Sequence, residues 1–449
     1  MNLPREHLLT VYHKALAAVQ GEACTYQALS DMALSGSLPT GPVAVLAIGK
    51  AADSMLLGAV EMLGERIKAG LLITKQGYAV DGSFAQKNIP VITAGHPLPD
   101  AHSLLAGQRL LSFLEDQPEY MTLLFLISGG ASSLVEVLPA GVNLDDLQKV
   151  NNWLLSSGWD IGAMNRVRKT LSCIKGGRLA SYLKDRKTIC LMISDVPDDR
   201  PDVIGSGFLF PNENEKQTEE KNKKRNTKKN TKKNIKHDEE PGEKSPDAGL
   251  PPELPLWITQ LPTAPASPSQ NDPCFNTISA KIIATLADAK RAAADAAKAL
   301  GYSVIHHEQM ITGNAEVMGQ ALAKDLCKDA PAFHIWGGET TVSLPPRPGR
   351  GGRNQQLALA AAEVIAGQPQ CYFLAAGTDG SDGPTQDAGA LVDAGTLARG
   401  RQSGFDVSQT LSRADAGSFL AATGDLICTG PTGTNVMDLM LGLKLPGSC

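Results

Sequence analysis

The chain has 449 residues, 42% of them apolar and 5% aromatic, with a formal net charge of −5. That length exceeds one ordinary domain and is enough for real cores, while the weak net charge gives no global drive toward nucleic acid or a membrane surface. No apolar run approaches ~20 residues, so no membrane span is expected. The eight cysteines form no CxxC pair, which argues against structural zinc and for the reducing cytoplasm.

The opening segment sets Leu8, Leu9, Tyr12, Leu16 and Val19 at helical spacing and lacks the apolar core of a signal peptide. A first strand is expected at Val43 to Ile48, running straight into Gly49-Lys50-Ala51-Ala52 and a helix. Ligands of open α/β sheets gather at the carboxyl ends of strands, so Lys50 stands where a phosphate could be met. Further strands are read at Gly70 to Thr74 and Ile89 to Ala94, the second leading to Gly95-His96-Pro97. Asp100 is a natural N-cap for the helix that follows. His96 is placed either to contact substrate or to hold its own turn.

The run Leu123 to Ile127 has the composition of a fully buried parallel strand. It ends in Ser128-Gly129-Gly130-Ala131-Ser132-Ser133, whose N–H groups and hydroxyls suit an oxyanion. Asn165, Arg168 and Lys175 lie in a basic helical stretch and are candidates to reach a polyanion. Ile189 to Ile193 is another buried strand, and Asp195 follows it at a standard position for a Mg²⁺ ligand.

The chain then changes character. Lys216 to Lys236 is almost devoid of apolar side chains, and residues up to Pro273 are rich in Pro, Ser, Glu and Asp. Such composition does not offset its ordering entropy and predicts a disordered insert. No aromatics interleave with the lysines for base stacking, so no nucleic-acid role is assigned. Expected units are therefore an N-terminal Rossmann-like domain over 1–208, the insert over 209–273, and a C-terminal domain over 274–449. Order resumes with an alanine-rich helix from about Ile278 to Leu300, a strand from Tyr302 to His306 and a helix from Ala315.

The stretch from His334 to Gln356 is the most concentrated anion site in the sequence. Glu339 follows a strand that breaks on two glycines, and Arg350 and Arg353 flank Gly351-Gly352 where Asn354 opens a helix. Helix N-termini expose unpaired N–H groups and partial positive charge, and arginine's planar fork suits phosphate or carboxylate. A last strand, Cys371 to Ala376, ends in an Asp/Gly loop holding Asp379 and Asp382. Asp195 and Asp382 are the candidate Mg²⁺ ligands. Basic groups plus acids able to hold Mg²⁺ are the parts needed for phosphoryl transfer. The absence of a Walker A loop, a Gly-x-Ser-x-Gly elbow and a Gly-x-Gly-x-x-Gly fingerprint weakens P-loop, esterase and dehydrogenase readings.

Taken together these motifs resemble those of the class II glycerate kinases, whose C-terminal half is the MOFRL domain. The resemblance rests on Ile48-Gly49-Lys50-Ala51-Ala52, Gly95-His96-Pro97-Leu98-Pro99-Asp100, Leu126-Ile127-Ser128-Gly129-Gly130, Val167-Arg168-Lys169, Ile174-Lys175-Gly176-Gly177-Arg178-Leu179 and Ser194-Asp195-Val196-Pro197. In the second half it rests on Gly338-Glu339-Thr340-Thr341-Val342, Gly349-Arg350-Gly351-Gly352-Arg353-Asn354-Gln355, Gly377-Thr378-Asp379-Gly380 and Thr432-Gly433-Thr434-Asn435-Val436. It implies two α/β domains with mostly parallel sheets around an interdomain cleft. It also implies ATP- and Mg²⁺-dependent phosphorylation of D-glycerate at the 2-hydroxyl by a monomer or homodimer. The family's lysine and arginine correspond to Lys50 and Arg353, expected at the transferred phosphoryl group. Ser128, Gly129, Gly130, Ser132, Asn165, Arg168, Lys175, Glu339, Arg350 and Asp379 would bind nucleotide or substrate. The chain departs from the family pattern at Thr170, Ala131, Phe208-Leu209 and Ala284-Thr285-Leu286. Two rival readings stand beside the kinase: a hydroxypyruvate reductase, and a nucleotide- or sugar-acid-binding protein impaired in catalysis.

Overall fold

A computed structural model describes residues 3–78, 84, 89–156, 159, 161–212 and 254–447. The lysine-rich run Lys216 to Lys236 lies outside the described residues. In the first lobe, α1 (Leu3–Ala18) and α2 (Gly21–Leu34) precede β1 (Val43–Ile48), α3 (Ala52–Leu63), β2 (Ile67–Lys75), β3 (Val91–Ala94) and α4 (Ala101–Asp116). Next come β4 (Thr122–Ile127), α5 (Ala131–Leu134), α6 (Leu144–Ser156), α7 (Ile161–Thr170), β5 (Thr188–Ile193), α8 (Leu256–Thr259) and β6 (Ile278–Ala284).

These strands form one sheet in the order β3-β2-β1-β4-β5-β6, and every neighbouring pair is parallel. Every residue of β1, β4 and β5 is buried, as expected of strands covered by helices on both faces. Strand order reverses between β1 and β4, so the crevice at their carboxyl ends is the topological switch point. Lys50 and the Ser128–Ser133 loop leave the sheet there. Asp100 caps α4 in a reciprocal box with Ser103, in agreement with the sequence.

The second lobe contains α9 (Leu286–Ala299), β7 (Val304–Asn314), α10 (Ala315–Lys328), β8 (Ala332–Thr341), α11 (Arg353–Ile365) and β9 (Cys371–Gly377). It continues with β10 (Gly389–Asp393), α12 (Thr396–Gln402), α13 (Val407–Ser412), α14 (Ala416–Thr423), β11 (Leu426–Ile427) and β12 (Asp438–Lys444). Its strand order is β11-β10-β9-β12-β8-β7. The mostly parallel sheet expected here is not found. Only β7 and β8 are parallel, while β12 runs antiparallel to both β8 and β9, and β10 antiparallel to β9 and β11. The reason is chain direction. β8 and β9 both end at the cleft, and β12 enters between them from that same end, pairing Asp438 with Gly338 and Gly377.

Two further expectations change. Residues 278–284 are a strand, not the start of a helix, because Ile278, Ile282 and Ile283 favour extended backbone, and the segment pairs along β5 with a bulge at Ile283. The helix begins only at Leu286, fixed by a Thr285–Asp288 capping box. A boundary at 274 would therefore hand the sixth strand of the first sheet to the wrong lobe. The stretch up to Pro273 is also ordered from Leu254 onward. Ile258, Leu254 and Leu261 pack on Val150, Leu154, Val167 and Leu171, and Arg178 Nε donates to the Pro265 carbonyl at 2.6 Å.

The lobes interlace at the N-terminus as well. α1 buries Leu8, Val11 and Tyr12 completely, in a core shared with Phe333, Leu374 and Leu441 of the second sheet. Each such side chain contributes roughly 1.5–3 kcal/mol. The Tyr12 hydroxyl donates to the Gly377 carbonyl at 2.7 Å, and Arg5 donates to Asp425 at 2.9 Å and pairs with Asp393. No described helix is long and apolar enough to cross a membrane.

Candidate active site

A cleft of about 1130 Å³ opens between the lobes, with Gly130, Asn165, Arg168 and Asp195 on one side and Glu339 and Arg353 on the other. Ser132 also lines it and shares a 2.8 Å hydroxyl contact with Ser206. Arg168 is steadied by Asn151, whose Oδ1 accepts from Nε at 2.8 Å.

Lys50 follows β1 and meets Asp379, which follows β9, at 2.5 Å. The pair therefore joins the carboxyl ends of strands from the two sheets. Burial works against both charges. The Lys50 ammonium nevertheless holds the Asp379 carboxyl below its ordinary range, and Asp379 in turn raises Lys50. Gly130, with φ +81°, lies directly against this lysine: a Cβ there would sit 2.9 Å from His96 Cδ2 and 3.3 Å from Lys50 Cγ. Only glycine fits both that left-handed backbone and that contact. His96 is driven down to about 3 by burial and by Lys50 and Lys75, so it faces the site as a neutral ring.

Arg353, the first residue of α11, is held by two carboxylates. Its Nε and Nη2 bind Asp438 at 2.5 and 2.9 Å, and its Nη1 meets Glu339 at 2.9 Å. A bidentate fork of this kind fixes the guanidinium plane. Burial works against the Arg353 charge, but Asp438 and Glu339 more than offset it and its pKa rises.

Two acids, Asp195 and Glu339, stand on the cleft wall, the second paired with Arg353. Burial pushes both carboxyls up, and each charge disfavours the other acids near it. Such groups are eased by a divalent ion. Mg²⁺ is bound through one or two carboxylates together with substrate phosphates, not by an all-protein cage. Asp195 also receives a 3.4 Å contact from the Asn435 amide.

Four expected site residues are used elsewhere. Lys175 is a buried ion-pair partner of Glu136, at 2.5 Å. Arg350 turns away to Asp387 and the Gly417 carbonyl, because its own backbone N–H is fastened to Asp415 at 2.8 Å. Asp382 is not placed to hold a metal. Its two oxygens accept the Asn354 and Gln355 N–H groups at 3.0 and 2.8 Å, capping α11, and burial lifts its pKa to about 7. The Ser128 hydroxyl accepts from the Ala51 N–H at 3.0 Å and so ties the β1 and β4 loops together. Gly129 is packed against Asp195 and Asn435.

Asp438 and Asn435 join the site without having been expected there, although Asn435 lies in the Thr432–Val436 motif. Asp438 begins a strand, whereas the glycine-marked loops of the sequence follow strand ends. A usable signal was its polarity at the head of an otherwise apolar run. The departures from the family pattern sit mostly in packing: Phe208 and Leu209 are core residues, and Thr285 caps α9.

A family model described as a domain of unknown function (DUF4147) matches residues 7–237, and the MOFRL family model matches residues 332–438. A D-glycerate 2-kinase from Thermotoga maritima is 36% identical over 92% of this chain and 94% of its own length. The chain belongs to the glycerate kinase family. A second relative in the family, a glycerate 2-kinase from Pyrococcus horikoshii, is 33% identical over 90% of this chain and 87% of its own. The crystal structure of a glycerate kinase from Thermotoga maritima superposes with a TM-score of 0.75 at 31% identity, covering 99% of this chain and all 100% of that one. The family assignment thus extends over both lobes.

Proposed function

We propose that the protein transfers the terminal phosphoryl group of ATP to the 2-hydroxyl of D-glycerate, giving 2-phosphoglycerate and ADP. The observation that carries this reading is that Arg353, on the cleft wall, and Lys50, directly behind Gly130 of the same cleft, are each held by carboxylates of the second lobe. Phosphoryl transfer asks chiefly for placement and charge neutralisation. Cations held in advance provide both without reorganising during the reaction. The family relatives named for glycerate 2-kinase activity support the acceptor and the position of attack.

In this reading Lys50 and Arg353 flank the phosphoryl group in flight. Asp195 and Glu339 hold Mg²⁺, which supplies charge neutralisation on the nucleotide phosphates when bound. Neutral His96 and the Gly130 backbone shape the wall beside Lys50. Asn165, Ser132 and Arg168 take the remaining polar contacts of nucleotide or acid.

The test is ADP release with D- and L-glycerate over a Mg²⁺ titration, with the product assigned by phosphorus NMR. ADP and a 2-phosphate signal are expected with the D isomer. Absence of ADP release with either isomer overturns the reading. NADH consumption with hydroxypyruvate in that case identifies the reductase instead.

A further inference from the structure

Three adjacent parallel strands of the first sheet, β3, β2 and β1, deliver basic side chains to one spot. Lys75 is the last residue of β2, Lys50 follows the end of β1, and His96 lies two residues beyond the end of β3. Lys50 is neutralised by Asp379, and His96 is neutral. Lys75 makes no ion pair among the described residues. Its ammonium instead lies 4.8 Å above the Tyr78 ring. The Tyr78 hydroxyl reaches across to Ser381 Oγ at 3.1 Å, in the turn that carries Asp379. The spot therefore gathers two ammonium groups: Lys50, paired with Asp379 and near Asp195, and Lys75, half-buried and left without an ion-pair partner among the described residues.

We propose that Lys75 binds the carboxylate of the acceptor hydroxy acid, seated by the Tyr78 ring beside Lys50. The proposal rests on the kinase reading above. Lys50 is already engaged by Asp379 and lies in the field of Asp195, whereas Lys75, on the β2 side of Lys50, keeps a charge with no ion-pair partner among the described residues. A 2-hydroxy acid carries its carboxylate one carbon from the reacting oxygen. With the carboxylate on Lys75, the 2-hydroxyl falls to Lys50, and the 3-hydroxyl is held farther off. Burial and the neighbouring Lys50 charge both press Lys75 toward losing its proton, and an anionic ligand relieves that pressure.

The test compares wild type with Lys75→Met, Lys75→Gln and Lys75→Arg. ADP release gives KM for D-glycerate and for ATP, and calorimetry gives direct binding of D-glycerate and of its uncharged amide, glyceramide. Lys75→Met and Lys75→Gln are expected to raise KM and Kd for D-glycerate at least tenfold. The KM for ATP and the affinity for glyceramide should stay within twofold, and Lys75→Arg should recover most of the loss. Unchanged D-glycerate binding in a folded Lys75→Gln protein overturns the proposal, as does an equal rise in the KM for ATP. A wild-type protein that neither binds D-glycerate nor releases ADP overturns the kinase reading, and this proposal with it.

Discussion

Lys50 and Asp379 meet at 2.5 Å although they lie 329 residues apart and belong to different sheets. The pair is a contact between the lobes and, in the function proposed above, a preset charge at the reaction centre. Lys50→Met is expected to cut kcat/KM by about 10²–10³-fold, the range seen when one preorganised donor is removed. Steady-state ADP release measures this, with circular dichroism confirming the fold. Turnover within threefold of wild type would remove Lys50 from the chemistry.

Arg353 tests geometry as distinct from charge. Lysine at this position keeps the charge but loses the fork that grips Asp438 through two nitrogens. Arg353→Lys should therefore lose roughly 10²-fold in turnover, on the scale of a misplaced transition-state contact. A mutant that matches wild type in kcat would show that the fork is dispensable.

Lys175 gives the opposite pattern. Its partner is Glu136, and both side chains are almost wholly buried. Breaking such a pair from one side costs about 3–5 kcal/mol, whereas replacing both partners with apolar groups can be nearly neutral. Lys175→Met should lower the denaturation midpoint sharply, and adding Glu136→Leu should restore much of it. The KM values of the folded fraction should not change. A raised KM for ATP with normal stability would return Lys175 to the site.

His334 sets a pH limit on stability. It is fully buried in a stack with His307 and Trp336. Its Nδ1 lies 3.2 Å from His307, and its Nε2 has no partner among the described residues. Burial, then the His307 charge, lowers its pKa from 6.5 to about 4. The unfolded chain binds this proton first, so the stability contribution is complete above pH 6.5 and is lost as pH falls toward 4. The full loss is about 3 kcal/mol. Urea titrations across that window should show a shallower slope in His334→Phe than in wild type, and identical slopes would contradict the assignment.

Much of the first lobe was legible because buried parallel strands are continuous apolar runs and their carboxyl ends are punctuated by glycine. Lys50 and Asp195 stood out for that reason, Glu339 and Arg353 for the paired glycines beside them and the helix start at Arg353. Lys175, Arg350 and Asp382 carried the right chemistry, but a sequence displays a charge without its partner, and each partner lay tens of residues away. Asp438 escaped because an antiparallel strand brings its first residue to the cleft. The sheet's direction was hidden too, since nothing local in β12 states which neighbours it will divide.

The chain passes between the lobes twice among the described residues. It crosses after α1, which sits on the second sheet, and again between β6 and α9. No single cut yields two complete halves: removing everything after β6 strips α1 of its bed, and removing everything before β7 takes both α1 and α9, which pack together on one face of the second sheet. Two separate covalent links also define a line. A rotation of one lobe on the other about the line through residues 19–20 and 285 would stretch neither link.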